Sequence, residues 1–206
     1  MNGRPLSAIF CPRREPLDVR TVLVTGVQGV GKTTLARLAA RALGLEAWDY
    51  ADLMMRVEPA IRHKDDLRFI AWSDRVQVYS KVDKLLAELF WPGDGRDTCI
   101  LLENHLSIID KVGMHTFPYE DARRYNPVGL VVVEASPEDV LQRRRTDGKR
   151  NRHIGSLMEV AEQQRINRRE AGFIGKLIGI PIIAVTNNDR EQAARQLADW
   201  VTVTLE

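Results

Sequence analysis

Gly26, Gly29, Gly31, Lys32 and Thr33 stand in the spacing G-x-x-x-x-G-K-T. Each type has a separate task in holding a phosphate chain. The glycines let the backbone turn tightly and bring N–H groups, that of Val30 included, up to phosphate oxygens with no Cβ between them. A lysine at position 32 reaches the β- and γ-phosphates. A hydroxyl at Thr33 can ligate Mg²⁺, and Thr34 opens a helix whose N-terminus points partial positive charge at the same anion. The stretch therefore reads as a nucleoside triphosphate site, with ATP and Mg²⁺ as the expected ligands.

A second set of phosphate-handling residues lies far along the chain. Arg143, Arg144, Arg145, Lys149, Arg150 and Arg152 crowd into residues 143–152, interrupted by one acid, Asp147, and one glycine, Gly148. Such a density repels itself unless an anion is present. Guanidinium groups make planar, multi-donor contacts to phosphate, and phosphoryl transfer is catalysed mostly by positioning and electrostatics. The segment, about 143–155, reads as an Arg-rich lid. Glu103 ends an apolar run, where a carboxylate could organise Mg²⁺, and His105 follows two residues later as a phosphate- or substrate-contacting group. Arg68 follows Asp65 and Asp66 and could hold the phosphate of an acceptor. Asp49, Asp52 and Glu103 are the bases available if the acceptor is instead a hydroxyl.

These groups need a frame, and the hydrophobic pattern supplies one. Short apolar runs rich in β-branched residues fall at 22–24, 45–48, 98–102, 128–133 and 180–185. Runs of that kind are strands covered on both faces. Helical patterns separate them: 34–42, a short helix capped by Asp49 or Asp52, a long one opened by Asp65 and Asp66, another started by Ser136-Pro137, one over about 156–177, and a last one capped by Asp189. Pro118 is expected to start a further short helix through Arg124. The alternation predicts an α/β fold with a five-stranded, mainly parallel sheet and helices on both sides. In such sheets ligands bind beyond the carboxyl ends of the strands. That edge would gather the phosphate loop, Asp49, residues 103–105 and Asn187-Asn188.

Residues 1–20 read as an N-terminal extension and 21–206 as one kinase-sized domain, with a helical insertion over about 49–92 for the acceptor. At 206 residues, 44% hydrophobic and 28% charged, the chain can bury a substantial core. A net charge of +2 creates no field that demands nucleic acid or membrane. Cys11 and Cys99 are too few for a disulfide framework or a metal cluster. With no run long enough to span a bilayer, the cytoplasm is the expected compartment. Self-association stays open.

Taken together, GVQGVGKTT at 26–34, KDDLR at 64–68, LLENH at 101–105, RRRTDGKRNR at 143–152 and INRREAG at 166–172 resemble the archaeal-type adenylate kinases, of the nucleoside monophosphate kinase group of P-loop proteins. The resemblance covers roughly residues 21–200. It implies that Gly29, Gly31, Lys32, Thr33 and Thr34 bind ATP and Mg²⁺. It implies further that Arg143, Arg150 and Arg152 clamp the phosphates with Arg168 as a helper, that Arg68 holds the acceptor phosphate, and that Asn187 and Asn188 meet the adenine. Position 103 is Glu where the family usually has Asp. The leading expectation is an ATP- and Mg-dependent small-molecule kinase acting on a nucleoside monophosphate such as AMP. The alternatives are a kinase for another small acceptor (nucleoside, sugar or cofactor precursor) and a nucleotide-dependent assembly factor or regulator with weak ATPase activity.

Overall fold

The computed structural model describes residues 17, 19–70, 72–90, 99–110, 113–116, 122–148, 150 and 153–206. Five parallel strands form the central sheet: β1 (Arg20–Thr25), β2 (Glu46–Asp49), β3 (Cys99–Glu103), β6 (Pro127–Glu134) and β7 (Ile182–Thr186), in the order β2-β3-β1-β6-β7. An antiparallel hairpin, β4 (Ser107–Asp110) and β5 (Gly113–Thr116), stands apart. The helices are α1 (Lys32–Leu43), α2 (Tyr50–Val57), α3 (Trp72–Leu89), α4 (Pro137–Thr146), α5 (Leu157–Ile178) and α6 (Arg190–Leu205). Among the described residues no helix is long and apolar enough to cross a membrane.

The strands read as unbroken apolar runs because both faces of the sheet are covered. Successive side chains go to opposite sides. Val22 and Val24 of β1, Leu101 of β3 and Val131 and Val133 of β6 pack with α1, α4 and α6. Leu23, Ile100, Leu102, Leu130 and Val132 pack on the other face with α2, α3 and α5. Leu17 and Val19, just before β1, are buried in this second layer, and the Leu17 N–H donates to the Arg124 carbonyl at 2.8 Å. Tyr50 packs edge-on against Tyr79 and Tyr125, with centroids 5.7 and 5.6 Å away, and so anchors the start of α2.

Helix boundaries follow their caps. Asp49 caps α2, accepting from the Ala51 N–H at 2.9 Å, and Ser136 caps α4 with Pro137 at the first helical position. Ser156 and Glu159 form a reciprocal capping box on α5, and Asp189 caps α6. Two expectations differ from the structure. The long helix does not run on from Asp65. Lys64–Arg68 is a 3-10 turn, and α3 starts only at Trp72. The turn is closed locally: the Asp66 carboxylate accepts from the N–H groups of Arg62 (3.0 Å) and His63 (2.8 Å), and His63 Nδ1 accepts from the Asp65 N–H at 3.2 Å. Buried Arg75 of α3 then donates to the Leu67 and Ile70 carbonyls, so an ordered break serves where the next helical turn would have been. The hairpin of β4 and β5 lies between the apolar runs at 98–102 and 128–133, where the hydrophobic pattern predicts no strand. It pairs Ile109 with Met114 and Ser107 with Thr116 across a two-residue link. Of the short helix expected over 118–124, residues 118–121 lie outside the described set.

Candidate active site

All five parallel strands end at one edge and bring their last residues together. Asp49 and Glu103 are register partners across β2 and β3, Val24 pairs with Glu103 across β1, and Thr186 pairs with Glu134 across β6 and β7. The glycine-rich loop leaves β1 at this edge. Gly26 has φ 150° and lies so close to β6 that a Cβ would meet the Val133 carbonyl oxygen at 2.4 Å. Gly31 has φ 94°, and a Cβ there would meet Asn187 Nδ2 at 2.3 Å. The loop is thus held between β6 and the segment after β7, and only glycine fits at either grip. Asn187 Nδ2 also donates to the Val30 carbonyl at 2.6 Å.

Gly31 is also the N-cap of α1. No side chain caps that end, and the first turn carries no acid. Its amide donors and positive end are therefore left to an outside anion. Lys32 is 5% exposed. Its ammonium donates to the carbonyls of Gly26 at 2.9 Å and Val27 at 3.2 Å, with Glu103 Oε1 3.9 Å away. Burial pushes the Glu103 carboxyl above its ordinary value, and neighbouring Asp49 adds to the rise. Lys32 and the Thr33 hydroxyl pull the other way without cancelling it. Glu103 Oε2 is buried and accepts no hydrogen bond from any described residue. A hard carboxylate oxygen left open beside a phosphate-loop threonine suits Mg²⁺. Among the described residues no group of three His, Cys, Asp or Glu side chains could hold a metal by itself. Nucleotide oxygens and water would complete the shell.

The floor opens into a cavity of 360 Å³. Gly29, Gly31, Lys32, Thr33 and Thr34 line it. Glu103, His105, Arg143 and Arg150 line it as well, together with three residues that sequence reasoning gave no role: Gln28, Thr146 and Asp147. Arg143 extends from the last turn of α4, and its guanidinium donates to the Val30 carbonyl at 3.1 Å and the Asn187 carbonyl at 2.9 Å. His105 is half-buried, and its N–H bonds to Asn104 Oδ1 at 2.7 Å.

Several expected residues sit elsewhere. Gly26 and Val30 are not in the lining but supply carbonyls to Lys32 and Arg143. Asn188 accepts from the Ser136 N–H at 3.4 Å, away from the cavity lining. Arg168 on α5 grips Glu134 through both oxygens, with the Nε–Oε1 contact at 2.8 Å, and does not line the cavity. Asp52, 44% exposed, pairs with Lys64 at 2.7 Å and with Arg37 at 3.9 Å. Lys64 also bonds Asp49. Partial burial of the Lys64 ammonium works against its charge, but the two carboxylates outweigh that and raise its pKa. Arg68 lies on the 3-10 turn. Arg152 and the side chain of Arg68 are outside the described residues.

Arg144 was not expected to differ from its neighbours, yet it is the buried one, 5% exposed. It donates to the Gln28 carbonyl at 2.9 Å, the His153 and Ile154 carbonyls at 3.3 and 3.1 Å, and Gln163 Oε1 at 3.0 Å. It ties the phosphate loop to the Arg-rich segment and to α5. The signal was available in the spacing, since Arg144 is one helical turn beyond buried Val140 and Leu141 and so shares their face.

The family described as an AAA domain matches residues 25–161. An adenylate kinase of Pyrococcus abyssi is 32% identical over 158 residues, which are 73% of this chain and 77% of that protein. An adenylate kinase of Thermoplasma acidophilum is 26% identical over 187 residues, covering 88% of this chain and 98% of its own. Among solved structures, an unliganded sugar kinase from Janibacter sp. superposes with a TM-score of 0.51 at 20% identity, covering 89% of this chain and 95% of that one. At that identity the likeness is one of fold.

Proposed function

This chain belongs to the AAA-domain family of P-loop proteins and to the adenylate kinase family, and is an ATP-dependent phosphotransferase; from that premise we propose that its acceptor is a nucleoside monophosphate such as AMP. The observation that carries this reading is the convergence of Lys32, Thr33, Glu103, Arg143 and Arg150 on one cavity at the open N-terminus of α1. The amides of residues 29–34 and Lys32 bind the β- and γ-phosphates of ATP. Thr33 and Glu103 would hold Mg²⁺, which would supply charge neutralisation at the phosphoryl oxygens. Arg143, Arg150 and Arg152 stabilise the charge that spreads over the equatorial oxygens as the γ-phosphoryl moves in line. A phosphate acceptor already carries a nucleophilic oxyanion, so no general base is required. The helical insertion of α2, the 3-10 turn and α3 stands over the β2 side of the site, where Arg68 would hold the acceptor phosphate. His105 and Asp52 would serve the acceptor as well.

A hydroxyl acceptor would need a base, and Glu103 would have to supply it. Asp49 caps α2 and bonds Lys64, and Asp52 shares the same lysine. The test is ADP formation from ATP·Mg²⁺ over a panel of AMP, CMP, UMP, GMP, nucleosides and sugars. Stimulation by one monophosphate, with the matching diphosphate as product, is the expected result. Stimulation by a nucleoside or sugar alone overturns the monophosphate reading, and slow hydrolysis indifferent to every acceptor turns it toward a regulator.

A further inference from the structure

Asp65 and Asp66 are adjacent acids with different employment. Asp66 is spent on closing its own turn, where it accepts the Arg62 and His63 N–H groups. Asp65 instead faces out of the insertion toward the Arg-rich segment. Its Oδ1 lies 3.5 Å from Arg150 Nε, with the two side chains 18% and 23% exposed. Arg150 lines the phosphate cavity and Asp65 does not. This ion pair therefore joins the two parts of the chain that flank the site. It is a charge contact without a hydrogen bond, because Arg150 Nε is buried and donates to no described residue. The Arg150 N–H bonds to the Asp147 carbonyl at 3.5 Å, so the backbone at the pair is tethered to the end of α4. Lys64, next in line, is held by Asp49 and Asp52, so its charge is already answered at the strand edge. Asp65 has His63 Nδ1 at 3.2 Å on its other side.

A guanidinium in this state has donors to offer to a better-matched anion. Phosphate oxygens make short, charge-assisted, two-pronged bonds to arginine. We propose that Asp65 is a positioning residue that occupies Arg150 until the terminal phosphate of a nucleoside triphosphate replaces it, so that triphosphate affinity and the placement of the acceptor insertion are linked. The inference rests on the reading that Arg150 faces the donor's phosphates. Only a ligand that takes Arg150 has to displace the carboxylate. Asp65 therefore weakens the binding of triphosphate and leaves diphosphate unaffected. Linkage is reciprocal, so an acceptor that draws the 3-10 turn away from Arg150 tightens the triphosphate by the same factor.

The test measures binding of a non-hydrolysable ATP analogue and of ADP, each with Mg²⁺, to the full chain by calorimetry. Asp65→Asn should bind the analogue about two- to fivefold tighter, as expected for removing a partly exposed ion pair, with ADP affinity unchanged. In an Arg150→Ala background the same Asp65→Asn change should do nothing, and Asp65→Glu should restore wild-type affinity. Three results would overturn the proposal: unchanged analogue affinity in Asp65→Asn, an equal shift for ADP, or the same shift without Arg150. Should Asp65→Asn not fold, Asp65→Glu and Arg150→Ala still decide. Arg150→Ala must weaken the analogue relative to ADP, and an equal effect on both ligands sinks the idea. Because the readout is binding, it is independent of the acceptor. Failure to phosphorylate any monophosphate would remove the proposed function and leave this result standing, and Lys32→Ala binding the analogue like wild type would remove the donor-site assignment itself.

Discussion

The phosphate floor and the helical insertion beside it hold their cations in different ways. On the floor, backbone carbonyls do most of the holding: Lys32 on Gly26 and Val27, Arg143 on Val30 and Asn187, Arg144 on Gln28, His153 and Ile154. Carboxylates of the insertion hold Lys64 and Lys81 within it and, from outside it, Arg37 of α1 and Arg150. A carbonyl is a dipole. It orients a cation and leaves the full unit of charge to act on a ligand. A carboxylate cancels that charge, and a ligand must compete for it. The floor's cations are therefore set for phosphate in advance, and a ligand would have to displace an acid to use Lys64, Lys81, Arg37 or Arg150. Arg75 is the exception that fits the rule. It sits on the insertion side but is held by the Leu67 and Ile70 carbonyls, and its work is to brace the turn that carries Arg68.

Substitutions that remove a carbonyl-held cation should therefore cost the most. Lys32→Ala should lower kcat/KM by about 10²–10³ or more, the scale of a lost transition-state donor, measured by steady-state ADP formation; equal turnover would break the comparison at its centre. Arg144→Ala and Arg143→Ala separate support from chemistry within the floor. Arg144→Ala should cost about 2–4 kcal/mol in urea unfolding, since several carbonyls lose their donor. Arg143→Ala should cost about 1 kcal/mol but lower kcat/KM by about 10- to 100-fold. The reverse order would exchange their roles.

Glu103→Gln tests the carboxylate beside Lys32. A carboxyl whose folded pKa is raised binds its proton more tightly folded than unfolded, so its contribution to stability falls as pH rises from the ordinary value near 4.5 through the raised one. Glu103→Gln should abolish that slope and match or exceed wild-type stability at neutral pH, while activity falls about 10- to 100-fold as Mg²⁺ loses a partner. A neutral-pH loss of stability would show that Lys32 needs this charge to fold. The smallest effect belongs to the carboxylate side. Asp52→Asn should shift stability by less than about 0.5 kcal/mol, because its own carboxylate is 44% exposed and Lys64 keeps Asp49 as a partner, and should touch only the acceptor's KM.

The difference between the sides also explains what could be read from the chain alone. The phosphate loop is built from consecutive residues: the glycine spacing of 26–31, Lys32 and Thr33 act within one turn of where they are written. The caps at Ser136, Asp49 and Asp189 are equally local. What escaped notice depends on partners far away in the chain. The break after Arg68 needs Arg75 to take two carbonyls, and without it the acids at 65 and 66 read as the start of a long helix. Arg143, Arg144 and Arg145 look alike as letters, and only burial against α5 makes the middle one a strut. The hairpin of β4 and β5 is too short for its alternation to stand out. Pairing of Arg168 with Glu134, and of Arg150 with Asp65, is decided by topology and left no local trace.

Strand β1 lies third of five, paired on both edges and covered on both faces, with Val22 and Val24 fully buried. Strand β2 is a four-residue edge with no fully buried position. Amide hydrogen exchange should follow that order. Protons at 22–24 should exchange only through global unfolding, and those at 46–49 through local opening well below it. The glycine loop hangs directly from the strand that opens last, while Asp49 and α2 hang from one that opens early. As denaturant is added, the chain should lose its grip on the acceptor while it can still hold a triphosphate.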